Sequence, residues 1–318
     1  MPNPSEVRTP RERILVTGAN GHLGRRLLER VGCEPGGSRG VRALVRSRAA
    51  AALLERLPGA LRPEIVVVDY SDTEALARAA EGCTAAVHLV GILRETGSSR
   101  YADAHEATTR ALAAAAPRAG LRRIVYLSIL GSHASSANAC LASKGRAEDI
   151  LLAGVTPALV LRVPMVIGAG DFVSRTLRKQ ARARVVPLLR GGKGREQPID
   201  GDDVVSAILA GLERPDVGRE ALDLAGPESI TRRELLARTA RLWGNSPIVI
   251  PLPYALENAF AFVAEKLLAN PPLTRAMLGV LDHDDDIDEK PACDRLGIQL
   301  TPLDETLARC VGPGSEGA

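Results

Sequence analysis

Six short apolar runs, each separated from the next by a helical or loop stretch, constrain this chain more than any other feature. They cover residues 14–16, 41–45, 64–68, 84–90, 123–127 and 158–162. The run Ile65-Val66-Val67-Val68 is continuous and β-branched rather than alternating. A strand reads that way when both of its faces are buried, as in a parallel sheet covered by helices on two sides. Helical patterns at residues 47–57, 72–80, 102–119 and 140–152 lie between the runs, with Ser47 and Asp72 placed as N-caps. Strand and helix in alternation, with right-handed crossovers, give an α/β fold with a doubly wound parallel sheet. At 318 residues, 45% of them hydrophobic, the chain has core enough for one extended domain or one and a half.

The first run ends in a glycine turn. Gly18, Gly21 and Gly24 are spaced G-x-x-G-x-x-G, one residue from the G-x-G-x-x-G dinucleotide pattern. Gly18 lets the chain turn sharply off the strand, Gly21 leaves the backbone open to a pyrophosphate, and Gly24 lets the helix lie close to the sheet. The helix start presents free N–H groups and a positive dipole end to phosphate. This turn makes the expected sheet a Rossmann type. The second run ends in Leu44-Val45-Arg46-Ser47-Arg48. No acid stands there to hold ribose hydroxyls, and Arg46 suits a 2′-phosphate, which predicts NADP(H) over NAD(H). Asp69 and Tyr70, after the third run, are placed to flank an adenine.

Beyond residue 168 the alternation weakens. Helices near 172–183, 202–212 and 231–243, the last with Thr231 and Glu234 as a capping box, and strands near 197–199 and 221–224 read as a smaller α+β lobe. The expected Rossmann domain spans 11–168 and the lobe 169–311, with interleaving allowed between them and flexible tails at 1–10 and 312–318. The lobe covers the sheet's carboxyl edge, where open α/β sheets bind ligands. An apolar helical stripe at 254–268, including Leu256, Phe260 and Val263, is either lobe core or a contact for a membrane, a partner or a lipid. Cys33, Cys83, Cys140, Cys293 and Cys310 are scattered without a C-x-x-C, which indicates no zinc site and no disulfide framework. The segment from Asp282 to Asp286 lacks metal-ligand alternation and reads as a solvated acidic turn. A net charge of +3 with basic residues spread along the chain does not suggest nucleic-acid binding. No apolar run approaches the ~20 residues of a membrane span, and Met1-Pro2-Asn3-Pro4-Ser5-Glu6 is no signal peptide. The expected location is cytoplasmic, with peripheral contact at the inner membrane face the alternative.

Several motifs together resemble the extended and atypical short-chain dehydrogenase/reductases. They are the turn from Thr17 to Gly24, Val87-His88-Leu89-Val90-Gly91-Ile92-Leu93-Arg94-Glu95, Ser128-Ile129-Leu130-Gly131, Ser143-Lys144-Gly145-Arg146-Ala147-Glu148 and the stretch from Leu161 to Gly168. The second of these, with Gln197-Pro198-Ile199-Asp200 and Leu224-Ala225-Gly226-Pro227-Glu228, is similar to the subgroup containing the nucleotide-binding accessory subunit of respiratory complex I and its bacterial relatives. The resemblance implies that Thr17, Asn20, His22, Leu23, Leu89, Val90 and Gly91 join the three glycines around the dinucleotide. It implies that Arg162, Pro164 and Val166 line the nicotinamide end.

Chemistry in that superfamily uses a Ser, a Tyr and a Lys. The Lys holds the nicotinamide ribose and lowers the Tyr pKa, and the Tyr exchanges a proton with the substrate oxygen that the Ser polarises. Carried over, the serine is Ser128 and the lysine Lys144, but the tyrosine position, four residues before the lysine, holds Cys140. Three readings follow. Proton transfer is lost and the protein binds NADP(H) as a structural or sensing ligand. Or another acid serves: Cys140 with a pKa lowered by Lys144, or His133, or Tyr101. Or Cys140 is a small buried residue filling the space a tyrosine left. The leading expectation is an NADP(H)-binding reductase-like protein with non-standard oxidoreductase chemistry on a hydrophobic quinone, isoprenoid or lipid-like substrate. Its rival is a non-catalytic accessory or assembly subunit in a respiratory complex. Sugar-nucleotide epimerase or dehydratase is a third, disfavoured by the absent tyrosine.

Overall fold

The computed structural model describes residues 12–33, 39–61, 63–214, 216–253, 274–281 and 284–315. The stripe at 254–268 and residues 282–283 of the acidic segment lie outside them. In chain order the strands are β1 (Glu12–Thr17), β2 (Arg39–Val45), β3 (Glu64–Val67), β4 (Ala85–His88), β5 (Arg123–Ile129), β6 (Ala158–Val163), β7 (Val166–Ile167), β8 (Val185–Leu189), β9 (Arg195–Glu196), β10 (Ile199–Asp200), β11 (Glu220–Asp223), β12 (Ile230–Thr231) and β13 (Ile248–Leu252). Seven form one parallel sheet in the order β11-β6-β5-β4-β1-β2-β3. The order reverses between β1 and β4, so the glycine turn after β1 stands at the switch point, where such sheets leave a crevice.

The described α-helices are α1 (His22–Gly32), α2 (Arg48–Glu55), α3 (Thr73–Ala80), α4 (Thr108–Arg118), α5 (Ala139–Leu152), α6 (Phe172–Arg182), α7 (Gly201–Glu213), α8 (Arg232–Arg241), α9 (Arg275–Leu281), α10 (Lys290–Leu296) and α11 (Leu303–Val311), with a π-helix at Ala102–Ala107 leading into α4. Two cores lie on opposite faces of the sheet. Ile14 and Val16 pack with Leu27, Leu28, Val204 and Ile208 of α1 and α7. Leu15 and Leu44 pack with Leu76, Leu112 and Leu151 of α3, α4 and α5. Successive residues of β1 thus bury on alternate sides, the reason its run is apolar without a gap. Ser47 and Asp72 cap α2 and α3 as expected, accepting from the N–H groups of Ala50 and Ala75.

Three expectations change. The strand at 220–223, assigned from sequence to the smaller lobe, pairs with β6 as the outermost strand of the main sheet. α7 likewise packs on α1, joined by the Arg26–Asp202 ion pair at 2.6 Å. Hydrophobic continuity decides this, because Val204, Val205 and Ile208 face the sheet core. Residues 312–315, expected in a flexible tail, are held in place: Ser315 is 4% exposed and its hydroxyl accepts from the Arg178 guanidinium at 2.5 Å. The acidic segment is not simply solvated. Asp284 accepts from the Arg195 N–H at 2.7 Å, the Asp285 carbonyl accepts from Ser229 at 2.6 Å, and Asp286 pairs with Arg195 at 3.4 Å. Among the described residues, no group of three or more His, Cys, Asp or Glu side chains is arranged to hold a metal.

Candidate dinucleotide and reductase site

The turn after β1 has the geometry a pyrophosphate needs. Gly18 has φ +71°, and a Cβ there would lie 3.1 Å from the main chain of Leu89. Only glycine combines that backbone with that contact. Gly21 is the N-cap of α1 and supplies no side-chain cap, and the first turn of α1 holds no acid. By contrast, α2, α3, α5, α6, α7 and α8 carry side-chain caps from Ser47, Asp72, Asn138, Asp171, Asp200 and Thr231. The first N–H groups of α1 are left for an external acceptor, and a phosphate fits them. Gly24 works differently from expectation. A Cβ there would meet the Ala19 main chain at 2.5 to 2.7 Å, so the close approach is of helix to its own turn, not of helix to sheet.

Around this turn, Asn20, His22, Leu23, Leu89, Pro164 and Val166 are partly exposed and Gly21 and Gly91 exposed, while Val90 is buried. His22 leans over Gly168, where a Cβ would lie 2.5 Å from its Nε2, and burial holds its pKa below the usual histidine value. Two expected contacts face inward instead. Thr17 is 1% exposed, its hydroxyl 2.6 Å from His88 Nδ1. Tyr70 is buried, its hydroxyl accepting from the Gly18 N–H at 2.9 Å and donating to the Leu44 carbonyl at 2.5 Å. The phenol therefore pins the glycine turn to β2 from beneath and is not open to an adenine. Burial pushes its pKa up to about 12. Arg46 and Asp69 remain exposed at the ends of β2 and β3. Asp69 accepts from the Ser71 N–H and hydroxyl, which together hold its carboxyl below the ordinary value, with the Arg46 charge adding to the effect.

α5 brings Cys140, Lys144 and Glu148 onto one face, at steps of four residues, against β5. Lys144 is 5% exposed. Its Nζ donates to the carbonyls of Leu127 at 2.9 Å and Val90 at 3.4 Å and lies 4.5 Å from the Tyr126 ring centre. Burial lowers its pKa to about 8. The approach from the mouth is open only because residue 91 is glycine: a Cβ there would be 3.0 Å from Nζ. Cys140 is fully buried, its Sγ 3.7 Å from the Ile92 carbonyl and in contact with the Tyr101 hydroxyl. The expected lowering of its pKa is reversed: burial outweighs Lys144 and pushes the thiol up to about 11. Ser128 is 2% exposed and donates to Glu148, a buried carboxylate that also accepts from Arg162 at 2.6 and 2.9 Å. Arg162, expected at the nicotinamide end, is thereby committed to Glu148 and, at 3.4 Å, to Asp223. Of the alternative acids, His133 is exposed and bonded to Ser135, while Tyr101 is 6% exposed and donates to the Leu93 carbonyl.

Sequence reasoning passed over Glu148 and His105. Glu148 stands four residues after Lys144, a spacing that places it on the same helix face. His105 has no such signal. It is fully buried, stacked on Tyr101 at 5.6 Å, with Nε2 at the Ile92 main chain, and burial lowers its pKa to about 3.

A family model described as NAD(P)H-binding matches residues 18–165, from the first glycine of the turn to the stretch after β6. Ceramide reductase of Caulobacter vibrioides is 30% identical over 244 residues, covering 76% of this chain and 73% of that protein. This chain belongs to that NAD(P)H-binding Rossmann family. A second relative is the mitochondrial NADH dehydrogenase (ubiquinone) 1 alpha subcomplex subunit 9 of Arabidopsis thaliana, 27% identical over 256 residues. The match takes in 77% of this chain but 61% of that subunit. The fold is shared more widely. Triphenylmethane reductase of Citrobacter sp. superposes with a TM-score of 0.72 at 19% identity, covering 94% of this chain and 99% of that one. UDP-glucuronic acid 4-epimerase of Bacillus cereus, solved with NAD, does so with 0.71 at 16%, covering 94% and 98%. The family resemblance read from the motifs is thus established, and a nicotinamide dinucleotide is the family's ligand.

Proposed function

We propose that the protein is an NADP(H)-binding reductase acting on a hydrophobic, lipid-like carbonyl substrate without the usual tyrosine. The observation that carries the cofactor half is the uncapped, acid-free start of α1 with Arg46 exposed at the end of β2. The arginine supplies a bidentate partner for a 2′-phosphate where an acid would repel it. The substrate half is supported by the 30% identity to a protein named ceramide reductase. Bound nicotinamide supplies hydride. Lys144 would meet a ribose across the bare Cα of Gly91. The proton for the reduced oxygen comes from a group other than residue 140, since the thiol is sealed.

A second reading, a non-catalytic accessory subunit that holds NADP(H), is favoured by the internal commitments of Ser128 and Lys144. Each expected catalytic donor already bonds inside the protein. Two measurements separate the readings. Calorimetric titration should show NADPH bound in preference to NADH, with Arg46→Glu removing the preference. Equal affinity of the wild type for both would overturn the NADP assignment. NADPH oxidation should be seen with long-chain keto-amides or quinones and persist in Cys140→Ala. Binding without turnover across such a panel would favour the accessory reading.

A further inference from the structure

Residues 172–195 contain eight lysines and arginines and no aspartate or glutamate, an excess hidden by the even spread of charge along the rest of the chain. α6 turns part of it into a stripe. Phe172, Arg175, Lys179 and Arg182 follow at steps of three, four and three residues, so they share one helix face. All four are exposed, Phe172 by 74%. Ser174, Leu177 and Ala181, on the other face, are buried, with Leu177 packed beside Leu235 and Leu307 of α8 and α11. Past the helix, Arg184 and Val185 continue the exposed side, and Val185 is the register partner of Ile248, itself 61% exposed. Among the described residues, no carboxylate pairs with Arg175, Lys179 or Arg184. Arg175 donates to the Gly170 carbonyl at 2.6 Å, and Arg182 lies over the Trp243 ring at 4.8 Å.

Arg175, Lys179 and Arg184, with no carboxylate partner among the described residues and set beside an exposed aromatic ring and exposed aliphatic side chains, need two environments at once. The cations need anions, and the Phe172 ring needs hydrocarbon. The surface of an anionic bilayer offers both within a few ångströms, whereas a polyanion in water offers only the first. We propose that this face, Phe172, Arg175, Lys179, Arg182, Arg184 and Val185, docks on membranes that contain anionic lipid. α6 begins four residues after Gly168, which lies against His22 of the glycine turn. Docking therefore brings the mouth of the dinucleotide site to the bilayer. The inference stands apart from the reductase reading, because it concerns a surface that touches neither cofactor nor substrate.

Flotation of the full chain with vesicles tests it. The protein should float with phosphatidylcholine vesicles containing phosphatidylglycerol and stay behind with pure phosphatidylcholine. The variant Arg175→Gln/Lys179→Gln/Arg184→Gln should bind the anionic vesicles about a hundredfold more weakly, since each cation near such a surface contributes roughly a factor of five. Phe172→Ser should weaken binding with its charge intact, while Arg56→Gln/Arg110→Gln, exposed cations elsewhere, should bind as the wild type does. Circular dichroism confirms that each variant is folded. Absence of flotation, equal flotation of the triple variant, or binding to heparin without binding to anionic vesicles would each overturn the proposal.

Discussion

At the residue scale, Lys144 defines what kind of site this is. It is buried among two carbonyls and an aromatic ring, and desolvation holds its pKa at about 8 instead of 10.5. The unfolded chain keeps the proton up to the ordinary lysine value, so between these two pH values unfolding takes up a proton. Stability due to this side chain therefore rises as pH climbs above about 8. The thiol of Cys140 opposes it higher up, because its folded pKa is raised from 9.0 to about 11. The thiols of Cys83, Cys293 and Cys310, whose pKa values are also raised by burial, oppose it in the same range, so the Lys144 share is read as a difference between two proteins. Urea unfolding between about pH 8 and 9 should give a slope more positive in the wild type than in Lys144→Met by roughly 1 kcal/mol per pH unit. An equal slope in both proteins would assign the titration elsewhere. Lys144 was legible in the sequence as a position, four residues after Cys140. Its bonds were not, because they depend on where the ends of β4 and β5 come to rest.

At the element scale, the β1–turn–α1 unit was read almost completely from three glycines and an apolar run. The steric reason for Gly24 was misassigned, since the atoms it must clear belong to Ala19. Gly24→Ala would place a Cβ 2.5 Å from the Ala19 carbonyl oxygen and force α1 away from its turn. Overpacking of this kind costs about 1–3 kcal/mol, and it moves the very N–H groups that would hold the phosphates. The expected outcome is a loss of both thermal stability and NADPH affinity. Unchanged affinity would mean that the phosphates bind elsewhere. α5 shows the limit of element-level reading. Its position, cap and face are local properties of residues 138–152, with Asn138 accepting from the N–H groups of Cys140 and Leu141. The partner that ties up Ser128 was hidden until β5 and α5 were packed together.

At the scale of the whole molecule, parts of residues 169–311 interleave with the Rossmann sheet. β11 completes the central sheet, and α7 is clamped to α1 through Asp202 and Arg26. Unfolding should therefore be a single transition. The only tryptophan, Trp243, follows α8 in the C-terminal half, with its indole N–H donating to the Val311 carbonyl at 3.1 Å. Its fluorescence and the far-ultraviolet dichroism should report the same urea midpoint. NADPH at a hundred times its Kd should shift both midpoints together, by about 2.7 kcal/mol of stability. Two separated transitions, or a ligand shift in only one probe, would show that the halves fold independently.

The sequence by itself determined the parallel Rossmann sheet, the glycine turn, the family and the placing of Cys140 four residues before Lys144. These follow from neighbours within about ten residues: apolar runs, glycine spacing, helix caps and motif order. The tertiary structure alone decided which side chains are available for chemistry. Ser128, Arg162, Thr17 and Tyr70 all carry the polar groups that a dinucleotide or substrate could use, and all are turned to partners between 14 and 71 residues away. A polar group leaves water only when a partner at hydrogen-bond distance replaces it. That partner is set by how distant strands and helices meet, which local pattern does not encode.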